Sequence, residues 1–402
     1  MSSSNTVFRA STTAPVNIAV IKAKKRNRYW GKRDTVLNLP TNSSLSVTLS
    51  QKSLRTHTTA SCSESFTGPD TLVLNGEKED IQSSKRTQAC LKVLRSLREA
   101  LEAKDASLPK LSKWTLRLVS TNNFPTAAGL ASSAAGFAAL VRAIADLYEL
   151  PQSAKELSLI ARQGSGSACR SLMGGYVAWR AGTKEDGSDS LAEEVAPVSH
   201  WPEMRALILV VSAEKKGVPS TAGMQTTVET STLAPARFKE IVPKRMQEIE
   251  RAIEERDFET FARVTMQDSN SFHAICLDSW PPIHYLNDVS RAAMNAVETA
   301  NRKAGKMICA YTFDAGPNAV IYYLQEHTHQ VAGVFRNILP QVPGWEGEFG
   351  ESVHPNEYGG LEQKTLMTLK AGVSRVICTA VGGAPEKVET HLVDSRGNAL
   401  VE

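Results

Sequence analysis

The chain has no apolar run approaching the ~20 residues of a membrane span, so none of its 402 residues is expected to cross a bilayer. Its opening, Met-Ser-Ser-Ser-Asn-Thr, has neither the basic start nor the apolar core of a secretory leader, and secretion is not expected. Cysteine is sparse. Cys62, Cys90, Cys169, Cys276, Cys309 and Cys378 are scattered and form no Cys-x-x-Cys pair. In a chain of this length that pattern reads as reduced thiols in a cytosol-like compartment. The histidines are dispersed as well, and the one close pair, His327 and His329, fits a solvated segment better than a metal site. No excess of one charge exists: 46 basic and 42 acidic residues leave +4. That balance argues against a nucleic-acid partner but would not repel a small acidic substrate. Three nucleotide signatures are also missing. There is no Gly-x-x-x-x-Gly-Lys-[Ser/Thr], no Gly-x-Gly-x-x-Gly and no His-Arg-Asp catalytic loop. The last absence disposes of a faint protein-kinase echo in 18–22 and 313–316.

What is present centres on Asn123-Phe-Pro-Thr-Ala-Ala-Gly-Leu-Ala-Ser-Ser-Ala-Ala-Gly-Phe137. Residues 114–119 before it alternate like a half-buried strand. After it, Phe137, Leu140, Val141, Ile144, Leu147 and Tyr148 fall on one helical face. The order strand, small-residue loop, helix lets backbone approach a ligand closely, and the unpaired N–H groups of the first helical turn favour an anion such as phosphate. Spacing alone serves a tightly packed helix start equally well. Elsewhere the periodicities predict strands over 11–21, 37–49, 72–76 (ending in an Asn-Gly hairpin turn), 176–179, 206–211, 307–313, 320–324 and 374–383. Helices are predicted over 86–103, 153–162, 236–255, 258–266 and 287–301. A second loop rich in glycine and serine spans 164–175, and 341–362 reads as a long surface loop. Two lobes are expected at this length, 1–215 and 216–402, with a soft boundary.

Four segments together carry a resemblance. They are Ala14-Pro-Val-Asn-Ile-Ala; Tyr29-Trp-Gly-Lys-Arg-Asp with Leu39-Pro-Thr-Asn-Ser-Ser; the central loop; and Gly164-Ser-Gly-Ser-Ala-Cys-Arg-Ser-Leu with Phe313-Asp-Ala-Gly-Pro-Asn. The chain resembles the diphosphomevalonate decarboxylases, the fungal form in particular, within the galactokinase, homoserine kinase, mevalonate kinase and phosphomevalonate kinase superfamily. The resemblance implies an α+β fold of two lobes. The N-terminal lobe would carry a mixed sheet and helices in the manner of a small-subunit ribosomal protein, and the C-terminal lobe would be an α/β sandwich. It also implies ATP-dependent conversion of mevalonate 5-diphosphate to isopentenyl diphosphate, ADP, phosphate and carbon dioxide, in a cytoplasmic homodimer that uses ATP and Mg2+.

By the same resemblance, Asp314 is the candidate base, because a tertiary hydroxyl is a poor nucleophile unless a carboxylate can take its proton. A turn-capping aspartate is the plainer reading of that position. Arg170 suits the substrate carboxylate, whose planar oxygens match a permanently charged fork; a surface salt bridge is the alternative. Lys22 completes the catalytic set. Substrate binding falls to Asn17, Tyr29, Trp30, Ser165, Gly166, Ser167, Arg170, Ser220 and Thr221. ATP binding falls to Asn122, Pro125, Ala127, Ala128, Gly129, Leu130, Ala131, Ser132 and Ser133, with Ser133 also placed toward magnesium on the ATP phosphates. No dedicated cage of carboxylates is visible in the sequence. No organic electron sink is needed, since departure of a phosphorylated oxygen can accept the electron pair freed with carbon dioxide.

One departure from the family pattern stands out. The family lysine directly precedes Tyr-Trp-Gly-Lys, whereas here residues 23–28 separate Lys22 from Tyr29. A six-residue insertion that leaves Lys22 in the lysine role is favoured. Alternatively Arg28 sits next to the tyrosine, where it could not act as an acid or base, or the stretch is retained intron. The basic run also matches a nuclear-localisation pattern. Other functions stay open at this point: a sister kinase that stops at phosphoryl transfer, a non-catalytic ligand sensor, or a nucleic-acid binder using the 22–33 patch.

Overall fold

A computed structural model describes residues 6–22, 37–124, 132–211, 220–357 and 359–400. Three sheets organise them. The largest runs β14 (Glu386–Val388), β1 (Phe8–Pro15), β4 (Arg55–Cys62), β7 (Leu116–Asn122), β5 (Thr71–Leu74) and β6 (Glu77–Glu79). Only its β5–β7 pair is parallel. Helices α1 (Lys85–Lys104), α2 (Ser132–Leu147) and α3 (Ala154–Gly164) cover it, and Ala10, Ala60, Leu116 and Leu118 meet Leu94, Ala139, Ile144 and Leu157 in one core. A second sheet runs β2 (Asn17–Ile21), β3 (Ser44–Thr48), β8 (Tyr176–Trp179) and β9 (Ala192–Ala196). The third runs β11 (Cys309–Phe313), β12 (Ala319–Leu324), β10 (Met204–Val210) and β13 (Arg375–Ala380).

Strand alternation divides the side chains of β10 between two cores. Ala206, Ile208 and Val210 join β2, β3 and β8, together with helices α6 (Val242–Glu255) and α7 (Phe258–Leu277). Leu207 and Leu209 face α8 (Asp288–Ala304), α9 (Ala332–Ile338) and α10 (Gln363–Gly372) instead. The short helices α4 (Ser220–Thr230) and α5 (Ala234–Ala236) lead through a π turn at Arg237–Ile241 into α6. The α+β architecture is as expected.

Several elements differ from the reading of the sequence. Residues 11–21 are two strands in two sheets: Pro15, which has no N–H for a ladder, closes β1, and β2 then pairs with β3. The glycine-serine segment is not a loop but a 3-10 turn over Gly166–Leu172, begun by the Ala168 N–H donating to the Ser165 carbonyl at 2.9 Å. Gly164 before it must lack a side chain, because a Cβ there would lie 2.1 Å from the Phe137 ring. The Asn-Gly hairpin is present, with Asn75 and Gly76 both at positive φ (49° and 85°). Helix α7 runs to Leu277, well past the predicted stop at 266.

Candidate active site

Arg170 is 4% exposed on the 3-10 turn, and its hydrogen-bond partners among the described residues are neutral. Its Nε donates to Asn17 Oδ1 at 3.3 Å and to Ser46 Oγ, its Nη1 donates to Ser44 Oγ at 2.6 Å, and the guanidinium stands 5.9 Å from the Trp179 ring. Ser44 and Ser46 project from one face of β3 while Leu45 and Val47 fill the core behind, as a period of two requires. Asn17 is itself fixed, donating to the Ser167 carbonyl at 3.0 Å and to Ser171 Oγ at 2.7 Å. Burial pulls the Arg170 pKa below its ordinary value, and Cys169 and the Asp314 carboxylate act against that pull. Among the described residues no carboxylate bonds this arginine, an arrangement that can accept an anion.

Lys22 directly follows β2 and is 3% exposed. Its Nζ donates to Thr312 Oγ1 at 2.5 Å and to the Ala19 carbonyl at 3.1 Å, and lies 6.0 Å from the centre of the Phe272 ring. Burial pushes its pKa down to about 8, with Asp268 and Asp314 opposing and Arg237 adding to the fall. Asp314 follows β11 and is exposed. The turn it opens is closed by its own carbonyl, which accepts from the Gly316 N–H at 2.8 Å, and by Asn318, which accepts from the Val211 N–H at 2.9 Å. The charge of Asp314 reaches both Lys22 and Arg170. Three segments far apart in sequence thus place a carboxylate, a buried ammonium and a guanidinium within one electrostatic neighbourhood.

Beside them runs a line of hydroxyls. Ser133 Oγ, in the first turn of α2, is 3.3 Å from Ser165 Oγ, which is 3.2 Å from Ser167 Oγ. Polar oxygens at a helix start suit phosphate and the metal that accompanies it. Among the described residues no group of three or more His, Cys, Asp or Glu could hold a metal ion. Serine hydroxyls at the start of a helix suit an ion carried on nucleotide phosphates.

The structure brings together Asn17, Lys22, Ser133, Ser165, Gly166, Ser167, Arg170 and Asp314. Asn122 closes β7 and accepts from Thr56 Oγ1 at 2.5 Å, and Ser132 opens α2. Tyr29, Trp30, Pro125, Ala127, Ala128, Gly129, Leu130, Ala131 and the 23–28 stretch lie outside the described residues, as do the side chains of Ser220 and Thr221 at the start of α4. Reading the sequence overlooked Ser44 and Ser46, whose alternation with Leu45 and Val47 was the available signal. It also overlooked Asp268, which bonds the Lys22 backbone N–H at 2.9 Å.

Two family models match the chain. One, described as the diphosphomevalonate decarboxylase-like N-terminal domain, covers residues 14–192; the other, the mevalonate 5-diphosphate decarboxylase C-terminal domain, covers 206–388. The chain is 66% identical to diphosphomevalonate decarboxylase mvd1 of Aspergillus fumigatus, over 99% of this chain and 98% of that protein. It matches a crystal structure of mevalonate 5-diphosphate decarboxylase at 54% identity and TM-score 0.87, covering 97% of this chain and 100% of that one. It also matches the protein designated MDDEF, solved in complex with MVAPP, AMPPCP and magnesium, at 29% identity and TM-score 0.72, over 96% and 100% of the two chains.

Proposed function

The chain belongs to the diphosphomevalonate decarboxylase family, and from that premise we propose how its residues carry the reaction. The enzyme converts mevalonate 5-diphosphate and ATP to isopentenyl diphosphate, ADP, phosphate and carbon dioxide. ATP is the co-substrate, and magnesium, when bound with it, offsets the charge of its phosphates. The observation that carries the assignment of roles is the convergence of Asp314, Lys22 and Arg170 from three segments.

In this reading Asp314 takes the proton of the C3 hydroxyl as its oxygen attacks the γ-phosphorus of ATP. Exposed where a strand ends in a hydrogen-bonded turn, it is accessible to substrate on a backbone held in place. Lys22 offers an ammonium to the oxygens that gain charge in that transfer. Arg170 grips the substrate carboxylate through the edge that Asn17, Ser44 and Ser46 leave free. The phosphorylated C3 oxygen then departs as phosphate. The bond from C2 to the carboxyl carbon breaks, and its electron pair becomes the C2–C3 double bond as carbon dioxide leaves. No organic cofactor takes part. Ser133, Ser165 and Ser167 bind phosphate oxygens, as do Ser132 and the loop before α2. Asn122, Tyr29, Trp30, Ser220 and Thr221 complete the contacts that the resemblance implies.

We place the catalytic groups between lobes 1–215 and 216–402, with β10 of the first pairing into the third sheet and β14 of the second pairing with β1. Six free, buried cysteines favour the reducing cytoplasm. A homodimer completes the reading: light scattering should report twice the chain mass of 43.6 kDa, and a monomer mass would remove the dimer. The test is stoichiometric. Carbon dioxide and ADP should appear one for one from mevalonate 5-diphosphate; ADP without carbon dioxide would reduce the protein to a kinase.

A further inference from the structure

Helix α7 turns Asp268, Ser269, Phe272 and His273, all buried, toward the floor of the site, with Asn270 exposed beside them. Asp268, fully buried, accepts the Lys22 backbone N–H at 2.9 Å. Its neighbour Ser269, also fully buried, accepts the Phe313 N–H at 3.1 Å, one residue before Asp314. His273, one turn on, stands 3.4 Å from the Phe313 carbonyl through Nε2, and Asn270 exchanges hydrogen bonds with the Tyr311 hydroxyl at 3.0 and 3.2 Å. Phe272 lies under the Lys22 ammonium. Arg237, 1% exposed, reaches Asp268 at 2.9 Å and also bonds Ser271, while Arg245 reaches Asp268 at 3.4 Å and Ser271 at 2.7 Å.

Lys22 and Asp314 need such an anchor because β2 and β11 belong to different sheets and share no ladder. Side chains must therefore set the distance between them. Adjacent residues of a helix are separated by a fixed rise and turn, so two bonds from one helical step hold two strands in a fixed relation. We infer that the Asp268–Ser269 step of α7 is the positioning element that sets Lys22 against Asp314 for phosphoryl transfer, an inference that rests on the roles proposed above for those two residues. Asp268 has a second effect through its charge. The groups facing Lys22 are Asp268 from α7, Asp314 after β11 and Arg237 from the π turn, and Asp268 is the strongest of them in favouring the ammonium.

Ser269→Ala should lower kcat about 10- to 100-fold, the scale of a small misplacement of reacting groups, with both KM values within about twofold. Ser269→Thr, which keeps the hydroxyl, should restore most of the rate. Asp268→Asn is made together with Arg237→Gln so that the more buried of its two arginine partners is not left uncompensated, while Arg245, 15% exposed, keeps its bond to Ser271. In that double variant the alkaline limb of the kcat/KM profile should move to lower pH. Calorimetric melting establishes that each variant is folded before its kinetics are read. Folded variants with unchanged kcat and an unmoved limb would overturn the inference, as would a parallel rise in both KM values. Lys22→Met separates this failure from a failure of the underlying reading. If that variant turns over normally, the role of Lys22 falls. If it is inactive while the α7 variants behave as the natural chain, only the anchor falls.

Discussion

Two buried arginines in the first half of the chain show how differently one side chain can be used. Arg98 on α1 is sealed on every edge. Its Nε bonds Glu102 at 3.0 Å, Nη1 the Tyr148 carbonyl at 2.9 Å and Nη2 the Pro109 carbonyl at 3.0 Å. Its charge is matched by a carboxylate that is itself buried, and nothing remains for a ligand. Arg170 is nearly as buried, yet it leans on two serines, an asparagine and a tryptophan ring. Neutral partners fix its direction without cancelling its charge. An arginine stabilised by a carboxylate has its charge answered within the fold; one oriented by hydroxyls keeps a charge that suits the anion-binding role proposed for it.

The sharpest way to break this contrast begins with the groups around Arg170. Asp314→Ala should reduce carbon dioxide release by about 10³-fold or more, within the range of a lost general base, while isothermal titration with ATP stays within a few-fold of normal; retained turnover would remove Asp314 from the base role. Arg170→Lys should cost about 100-fold in kcat/KM because a point charge cannot replace the fork, with little change in melting temperature. Arg98→Met should do the reverse. It would strand Glu102 and lower unfolding free energy by about 3–5 kcal/mol, with kcat/KM per folded molecule unchanged in urea-checked samples. If both substitutions act alike, partner type does not distinguish the two sites. Smaller still, Ser44→Ala and Ser46→Ala should each cost roughly 1–3 kcal/mol of transition-state binding, as an unpaired buried donor does. Steady-state kinetics with limiting mevalonate 5-diphosphate would measure it.

Lys22 adds a pH test. Its folded pKa of about 8 lies below the ordinary 10.5, so burial penalises the ammonium by about 3 kcal/mol. Between those two values the unfolded chain keeps a proton that the folded chain has lost, and stability from this group rises with pH. Activity that needs the ammonium falls over the same range. kcat/KM should therefore show an alkaline limb near 8. The stability advantage of Lys22→Met over the natural chain should narrow as pH climbs from 8 toward 10. A rate that stays flat through pH 9 would dismiss the ammonium from the reaction.

The candidate site residues were legible through the family resemblance of their segments. Arg170 follows Gly-Ser-Gly-Ser, Asp314 leaves an apolar strand into a Gly-Pro turn, and both are brought near each other. The Asn75–Gly76 hairpin was equally plain, because only a few residues tolerate two successive positive φ angles. The end of α7 was not. Its apolar period lapses across Gln267-Asp-Ser-Asn-Ser271, which looks like the helix stopping. Within it Asp268 and Ser269 are instead buried, and Ser271 half-buried, against Lys22, Phe313, Arg237 and Arg245, partners that lie dozens to hundreds of residues away. The 3-10 turn at Gly166–Leu172 was missed for a similar reason, since its compactness depends on Phe137 packing against Gly164.

By itself the sequence determined the ingredients: strands and helices with strong periodicity, small-residue segments able to approach phosphate, a family membership, and the aspartate and arginine suited to the chemistry. The elements follow from interactions among near neighbours, which residue order contains directly; the family and the two residues come from the resemblance of four segments. The tertiary structure decided which hydroxyls orient Arg170, why an exposed Asp314 feels a buried Lys22, and that a single step of α7 ties two sheets together. Those facts depend on low-dielectric burial and on contacts between distant segments, and no local pattern encodes the distance between two strands that never pair.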